Sequence, residues 1–125
     1  MPAPRILIID DEPDLLKVFR KRLEISGFQV SCLSTGVDAV KKVQEIRPNL
    51  ILLDIVLPDE NGYDVCYDLK SDPATSFVPI ILTTAKAEWK RDLEDIGRFT
   101  KADDFIAKPF ESQDLIDKIN RLLNS

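Results

Sequence analysis

Residues 50–54, Leu50-Ile51-Leu52-Leu53-Asp54, are four aliphatic side chains followed by a carboxylate. A short apolar run without polar alternation suits a strand buried on both faces, as in a parallel sheet covered by helices. Three other runs stop in the same manner. Ile6-Leu7-Ile8-Ile9 stops at Asp10-Asp11, Ile80-Ile81-Leu82 at Thr83-Thr84, and Phe105-Ile106-Ala107 at Lys108-Pro109. As parallel strands, these runs would bring their polar ends to one edge of one sheet.

The segments between the runs are amphipathic. Leu15, Leu16, Phe19 and Leu23 recur at helical spacing behind Pro13, a residue that a first helical turn tolerates. Leu115, Ile116, Ile119, Leu122 and Leu123 keep the same period. Gly36 to Ile46, Gly62 to Leu69 and Ala87 to Ile96 read as three further helices. Alternating strands and helices predict an α/β protein, a single doubly wound sheet of five parallel strands with five helices on its two faces.

The strands can also be ordered. The runs starting near Ile6, Leu50 and Val78 are continuously apolar and belong in the centre. Phe28-Gln29-Val30-Ser31-Cys32-Leu33 nearly alternates, and Asp103-Asp104-Phe105-Ile106-Ala107 is short with a charged start, so both suit edges. Right-handed crossovers then favour the flavodoxin-like order 2-1-3-4-5. In that order the chain reverses direction between strands 1 and 3. Open α/β sheets bind ligands in the crevice outside the C-terminal ends at such a point, where Asp10, Asp11 and Asp54 fall.

Composition narrows the function. At 125 residues, 44% hydrophobic and 31% charged, the chain reads as one globular domain over residues 1–125. A net charge of -5 argues against direct nucleic-acid binding. No apolar stretch approaches the ~18 residues of a membrane span, and no signal peptide is legible, so a cytoplasmic location is expected. Cys32 and Cys66 lack CxxC spacing and read as reduced thiols. The chain has no histidine, which excludes a Ser-His-Asp triad, histidine-ligated zinc and a phosphohistidine of its own.

Three carboxylates in one crevice repel one another unless a cation joins them. Oxygen ligands of high charge suit Mg²⁺, which commonly keeps waters and bridges carboxylate to phosphate. Asp10 and Asp11 are adjacent and suited to holding the ion, one directly and one through water. Asp54 stands alone at the end of a central strand and is the best-placed nucleophile, able to form an acyl phosphate. Lys108 could meet the phosphoryl group with a positive charge, and Thr84 could donate its hydroxyl. Singly, each residue has an ordinary structural use; the joint pattern at four strand ends points to phosphoryl chemistry.

Together, Ile8-Ile9-Asp10-Asp11-Glu12, Leu53-Asp54-Ile55-Val56-Leu57-Pro58, Asn61-Gly62, Thr84-Ala85-Lys86, Asp103-Asp104-Phe105 and Lys108-Pro109-Phe110 resemble a response-regulator receiver domain over essentially the whole chain. The resemblance implies that Asp54 accepts phosphate from a sensor histidine kinase or histidine phosphotransfer protein. It implies that Asp10, Asp11, Asp54 and the Val56 carbonyl serve Mg²⁺, that Thr84 and Lys108 contact the phosphoryl group, and that the bond before Pro109 is cis. A downstream output domain or protein would read a switched surface of helix 4, strand 5 and helix 5, with the chain a monomer or weak homodimer. The domain would assist its own phosphorylation and dephosphorylation without being a conventional enzyme. A haloacid-dehalogenase-like phosphatase needs a second Asp where Val56 stands, and a flavin carrier a Ser/Thr/Gly-rich loop where Asp10-Asp11-Glu12-Pro13 stands. The stronger alternative is a receiver-like binding module that works without phosphorylation.

Some positions depart from the family pattern. Phe105 stands where Tyr is common, and Thr100-Lys101-Ala102 replaces a Gly-containing turn. Trp89 is a candidate anchor or partner contact on the fourth helix. Val56 and Lys86 should flank the phosphorus, and an apolar Val56 cannot orient a hydrolytic water.

Overall fold

A computed structural model describes residues 2–84 and 101–124. The five runs form strands β1 (Arg5–Ile9), β2 (Gln29–Leu33), β3 (Leu50–Asp54), β4 (Ile80–Thr84) and β5 (Asp104–Ala107). All neighbours pair in parallel, and the order across the sheet is β2-β1-β3-β4-β5, as expected. The described residues contain four helices: α1 (Pro13–Ile25), α2 (Ala39–Ile46), α3 (Gly62–Ser71) and α4 (Ser112–Leu123). The fifth expected helix, over Ala87 to Ile96, lies outside the described residues.

Strand alternation divides the core into two. Leu7, Ile9, Ile51, Leu53, Ile80 and Leu82 face α2 and α3, packing with Val43, Val65, Cys66 and Leu69. Ile6, Ile8, Leu50, Leu52 and Ile81 face α1 and α4, packing with Leu23, Leu115 and Ile119. Successive residues thus enter opposite layers, which is why the central runs are apolar at every position. Each fully buried Leu or Ile contributes about 1.5–3 kcal/mol before the entropy of ordering the chain is subtracted. On β2, Gln29 and Ser31 are exposed, as an edge strand allows.

Local chemistry shifts two expected boundaries. Helix α2 starts at Ala39 rather than Gly36, because Asp38 takes a left-handed conformation with φ 56° just before it. Strand β4 pairs only from Ile80, where Pro79 contributes a carbonyl to Ile51 N–H but has no N–H of its own. Pro13 opens α1, and the Asn61 side chain caps α3 by accepting from Tyr63 N–H at 2.9 Å.

At the entry to β5 two adjacent carboxylates serve opposite layers. Asp103 accepts from Lys70 Nζ of α3 at 2.9 Å and from Ile80 N–H at 2.8 Å. Asp104 instead pairs with Lys118 and Arg121 of α4. Neither cysteine is in a disulfide; Cys66 is buried and Cys32 half-buried. Among the described residues, no helix is long and apolar enough to cross a membrane.

Candidate functional site

Asp10, Asp54 and Lys108 meet at the C-terminal edge of the sheet. Asp10 follows β1, Asp54 ends β3 and Lys108 follows β5. Alternation continues past the apolar runs, so all three side chains emerge on the face occupied by α1 and α4. Both aspartates are nearly inaccessible, Asp10 at 2% and Asp54 at 5% exposure.

Lys108 joins them. Its Nζ donates to Asp10 Oδ2 at 2.8 Å, Asp54 Oδ2 at 3.1 Å and Glu12 Oε1 at 3.2 Å. An ammonium has three donors, and these bonds use all of them. Burial alone would lower the Lys108 pKa; the hydrogen bond and charge of Asp10, then the charge and hydrogen bond of Asp54, outweigh it and hold the value above the ordinary one. The peptide bond between Lys108 and Pro109 is cis.

Backbone groups hold the other carboxylate oxygens. Asp10 Oδ1 accepts from Glu12 N–H at 2.9 Å, and Asp54 Oδ1 from Val56 N–H at 3.0 Å. Burial raises the Asp54 pKa; the Val56 N–H pulls it down, the Asp10 charge pushes it up, Lys108 pulls it down, and the net remains upward. Behind Asp54 the chain folds tightly, with Gly62 N–H on the Ile55 carbonyl at 2.8 Å. A Cβ on Gly62 would lie 2.2 Å from the Asp54 carbonyl oxygen and 2.5 Å from Ile55 Cα, so only glycine permits this approach.

The remaining expected residues are placed differently. Asp11 is exposed, and Val56 is 59% exposed at the rim. Thr84 ends β4 in register with Ala107; its side chain is outside the described structure, as are Lys86 and Trp89. Glu12, quoted in the Asp-Asp-Glu run but given no role from sequence, comes over the crevice because it is the N-cap of α1. Its signal was its place just before Pro13, where the chain turns back into a helix.

The donor set suits a divalent cation. One carboxylate oxygen from each of Asp10, Glu12 and Asp54 lies within 4.8 Å of the others. Octahedral Mg²⁺ with bonds of 2.0–2.1 Å has opposite oxygens about 4.2 Å apart, so this spread fits partly direct and partly water-mediated ligation. Three carboxylates facing one ammonium also leave two negative charges uncompensated.

The flavodoxin-like α/β sheet thus carries a lysine-bridged acidic crevice at its switch point, the place where open sheets of this class bind ligands. Residues 6–120 match the response regulator receiver domain family, and the chain belongs to that family of two-component signalling domains. It is 39% identical to the DNA-binding response regulator MtrA of Mycolicibacterium smegmatis over 121 residues, covering 95% of this chain and 50% of that protein. The chain spans about half the length of the curated relatives it matches. The signal receiver domain of a signal transduction histidine kinase from Syntrophus aciditrophicus superposes with a TM-score of 0.87 at 34% identity, covering 98% of this chain and 91% of that one. The receiver domain of a Pseudomonas aeruginosa sensor histidine kinase, solved with magnesium coordinated in its active-site cleft, gives 0.86 at 27% identity, covering 98% and 99%.

Proposed function

We propose that this receiver domain accepts a phosphoryl group on Asp54 from a phosphohistidine of a sensor kinase or phosphotransfer partner. The observation that carries the reading is the Lys108 ammonium bridging Asp10 and Asp54, two buried carboxylates brought together from separate strands. In the transfer, an Asp54 carboxylate oxygen attacks phosphorus, the new O–P bond forms, and the P–N bond to the partner's imidazole breaks with its electrons leaving on nitrogen. Lys108 turns one of its donors from Asp54 toward the incoming phosphoryl oxygens, and Thr84 at the end of β4 adds its hydroxyl. Val56 N–H orients the carboxylate, and the exposed Val56 side chain offers no polar atom to an attacking water, which favours a persistent acyl phosphate.

Asp10, Asp54 and the Val56 carbonyl would hold Mg²⁺, with Asp11 or Glu12 acting through water. When bound, the ion neutralises charge on the phosphoryl oxygens. Magnesium in the cleft of the Pseudomonas receiver supports the same use of this crevice. Phe105, in register with Leu82 and packed partly buried against the α2–α3 layer, is the aromatic side chain that would turn as Thr84 moves. The altered surface of strand β5, helix α4 and the fourth predicted helix then addresses an output domain or protein, within a chain that is monomeric or weakly dimeric. MtrA is DNA-binding; with a net charge of -5, the present chain would reach DNA only through such an output partner. Two cysteines outside any disulfide accord with the cytoplasm.

Incubation with Mg²⁺ and a small acyl-phosphate donor, followed by intact-mass measurement, tests the reading. Wild type should gain one phosphoryl group only with Mg²⁺, and Asp54→Asn should gain none. No adduct on wild type would put the phosphorylation-independent binding module ahead.

A further inference from the structure

Thr83, the first of the two threonines ending β4, is not among the residues assigned to the phosphoryl group or the ion. It is 2% exposed, and its Oγ1 is buried without a hydrogen-bond partner among the described residues. A buried hydroxyl lacking a partner is costly, and valine would fill the same space without that penalty. Its position explains what such a donor could serve. Thr83 is the register partner of Asp54, and in-register residues of parallel strands share a sheet face.

Ile9 pairs with Leu53, so one step further Asp10, Asp54 and Thr83 form a row across β1, β3 and β4, with strands about 4.8 Å apart. Lys108 lies two residues beyond Ile106, the partner of Thr83 on β5, and arches back over this row. In the structure Asp54 is already supplied with donors, Val56 N–H on Oδ1 and Lys108 Nζ on Oδ2. All three Lys108 donors are engaged, so it can meet a phosphoryl group only by releasing a carboxylate.

We propose that Thr83 is a positioning residue for Asp54, its hydroxyl donating to the carboxylate oxygen that Lys108 releases as the phosphoryl group arrives. The inference rests on the phosphoacceptor reading and deepens it. The hydroxyl holds the non-attacking oxygen in place while the other forms its bond to phosphorus. It needs no partner before transfer, which accounts for an idle donor at a buried position.

The test compares Thr83→Val and Thr83→Ser with wild type for Mg²⁺-dependent phosphorylation by a small acyl-phosphate donor, as rate against donor concentration. Thr83→Val should lower the saturating rate about tenfold to a hundredfold, the size expected for one hydrogen bond to a charged group, at unchanged half-saturating donor concentration. Its thermal midpoint should equal or exceed that of wild type, and Thr83→Ser should restore most of the rate. Thr83→Val reacting at the wild-type rate would overturn the inference. Equal slowing by both variants would also overturn it, by assigning the effect to the lost methyl or changed packing. Wild type forming no adduct would instead bring down the phosphoacceptor reading, so the two failures are distinguishable.

Discussion

Lys108 reaches Asp10 across 98 positions of sequence, its Nζ 2.8 Å from Oδ2 with both side chains largely buried. This pairing closes β1 onto the end of β5, although β3 and β4 lie between those strands in the sheet. One cation therefore neutralises part of a crevice whose acidic groups come from two separate strand ends.

Replacing that cation should expose the repulsion it offsets. Lys108→Met leaves Asp10 and Asp54 facing each other in a buried setting, and removing one partner of a buried ion pair costs about 3–5 kcal/mol. In metal-free urea unfolding we expect a loss near the lower bound, about 3 kcal/mol, since a carboxylate can take up a proton. Mg²⁺ should then restore more stability to this variant than it adds to wild type, because the competing ammonium is gone. Equal Mg²⁺ stabilisation of both proteins would count against competition for one site.

The raised Asp54 pKa has a definite sign for stability. A carboxyl whose folded-state value lies above its unfolded value binds more protons when folded, so stability falls as pH rises through the interval between the two values. Without metal, Asp54→Asn removes that ionisation cost. Its thermal midpoint should exceed that of wild type at neutral pH, and the gap should narrow as pH falls below the raised Asp54 value. A gap that is constant across this range would mean that Asp54 ionisation carries no folding cost.

Lys101, exposed in the turn before β5, holds a left-handed backbone with φ 63°. A Cβ makes that conformation unfavourable, and glycine adopts it freely. Lys101→Gly should therefore raise folding stability by about 0.5–1 kcal/mol, net of the greater freedom glycine has when unfolded. Chemical denaturation reads this directly, and a destabilised variant would show that the Lys101 side chain contributes more than its backbone conformation costs.

Much of this molecule is written in local pattern. Unbroken aliphatic runs at Ile6, Leu50 and Ile80 specify strands covered on both faces, and the near-alternating Gln29 to Leu33 specifies an edge, because side chains alternate in direction with a period of two. Strand order then follows from handedness, which brings Asp10 and Asp54 to one edge. What local pattern leaves open is the contact made by each side chain. Asp10 and Asp11 are chemically alike as neighbours in sequence, yet one is buried against Lys108 and the other faces solvent, because successive residues leave a strand in opposite directions. Glu12 enters the crevice only through the turn into α1. Likewise, only strand register sets Thr83 beside Asp54. Local pattern therefore specifies which elements form and which chemistry gathers at their ends, whereas which of two adjacent residues faces the crevice is set by the fold, since that depends on register and on where a turn returns the chain.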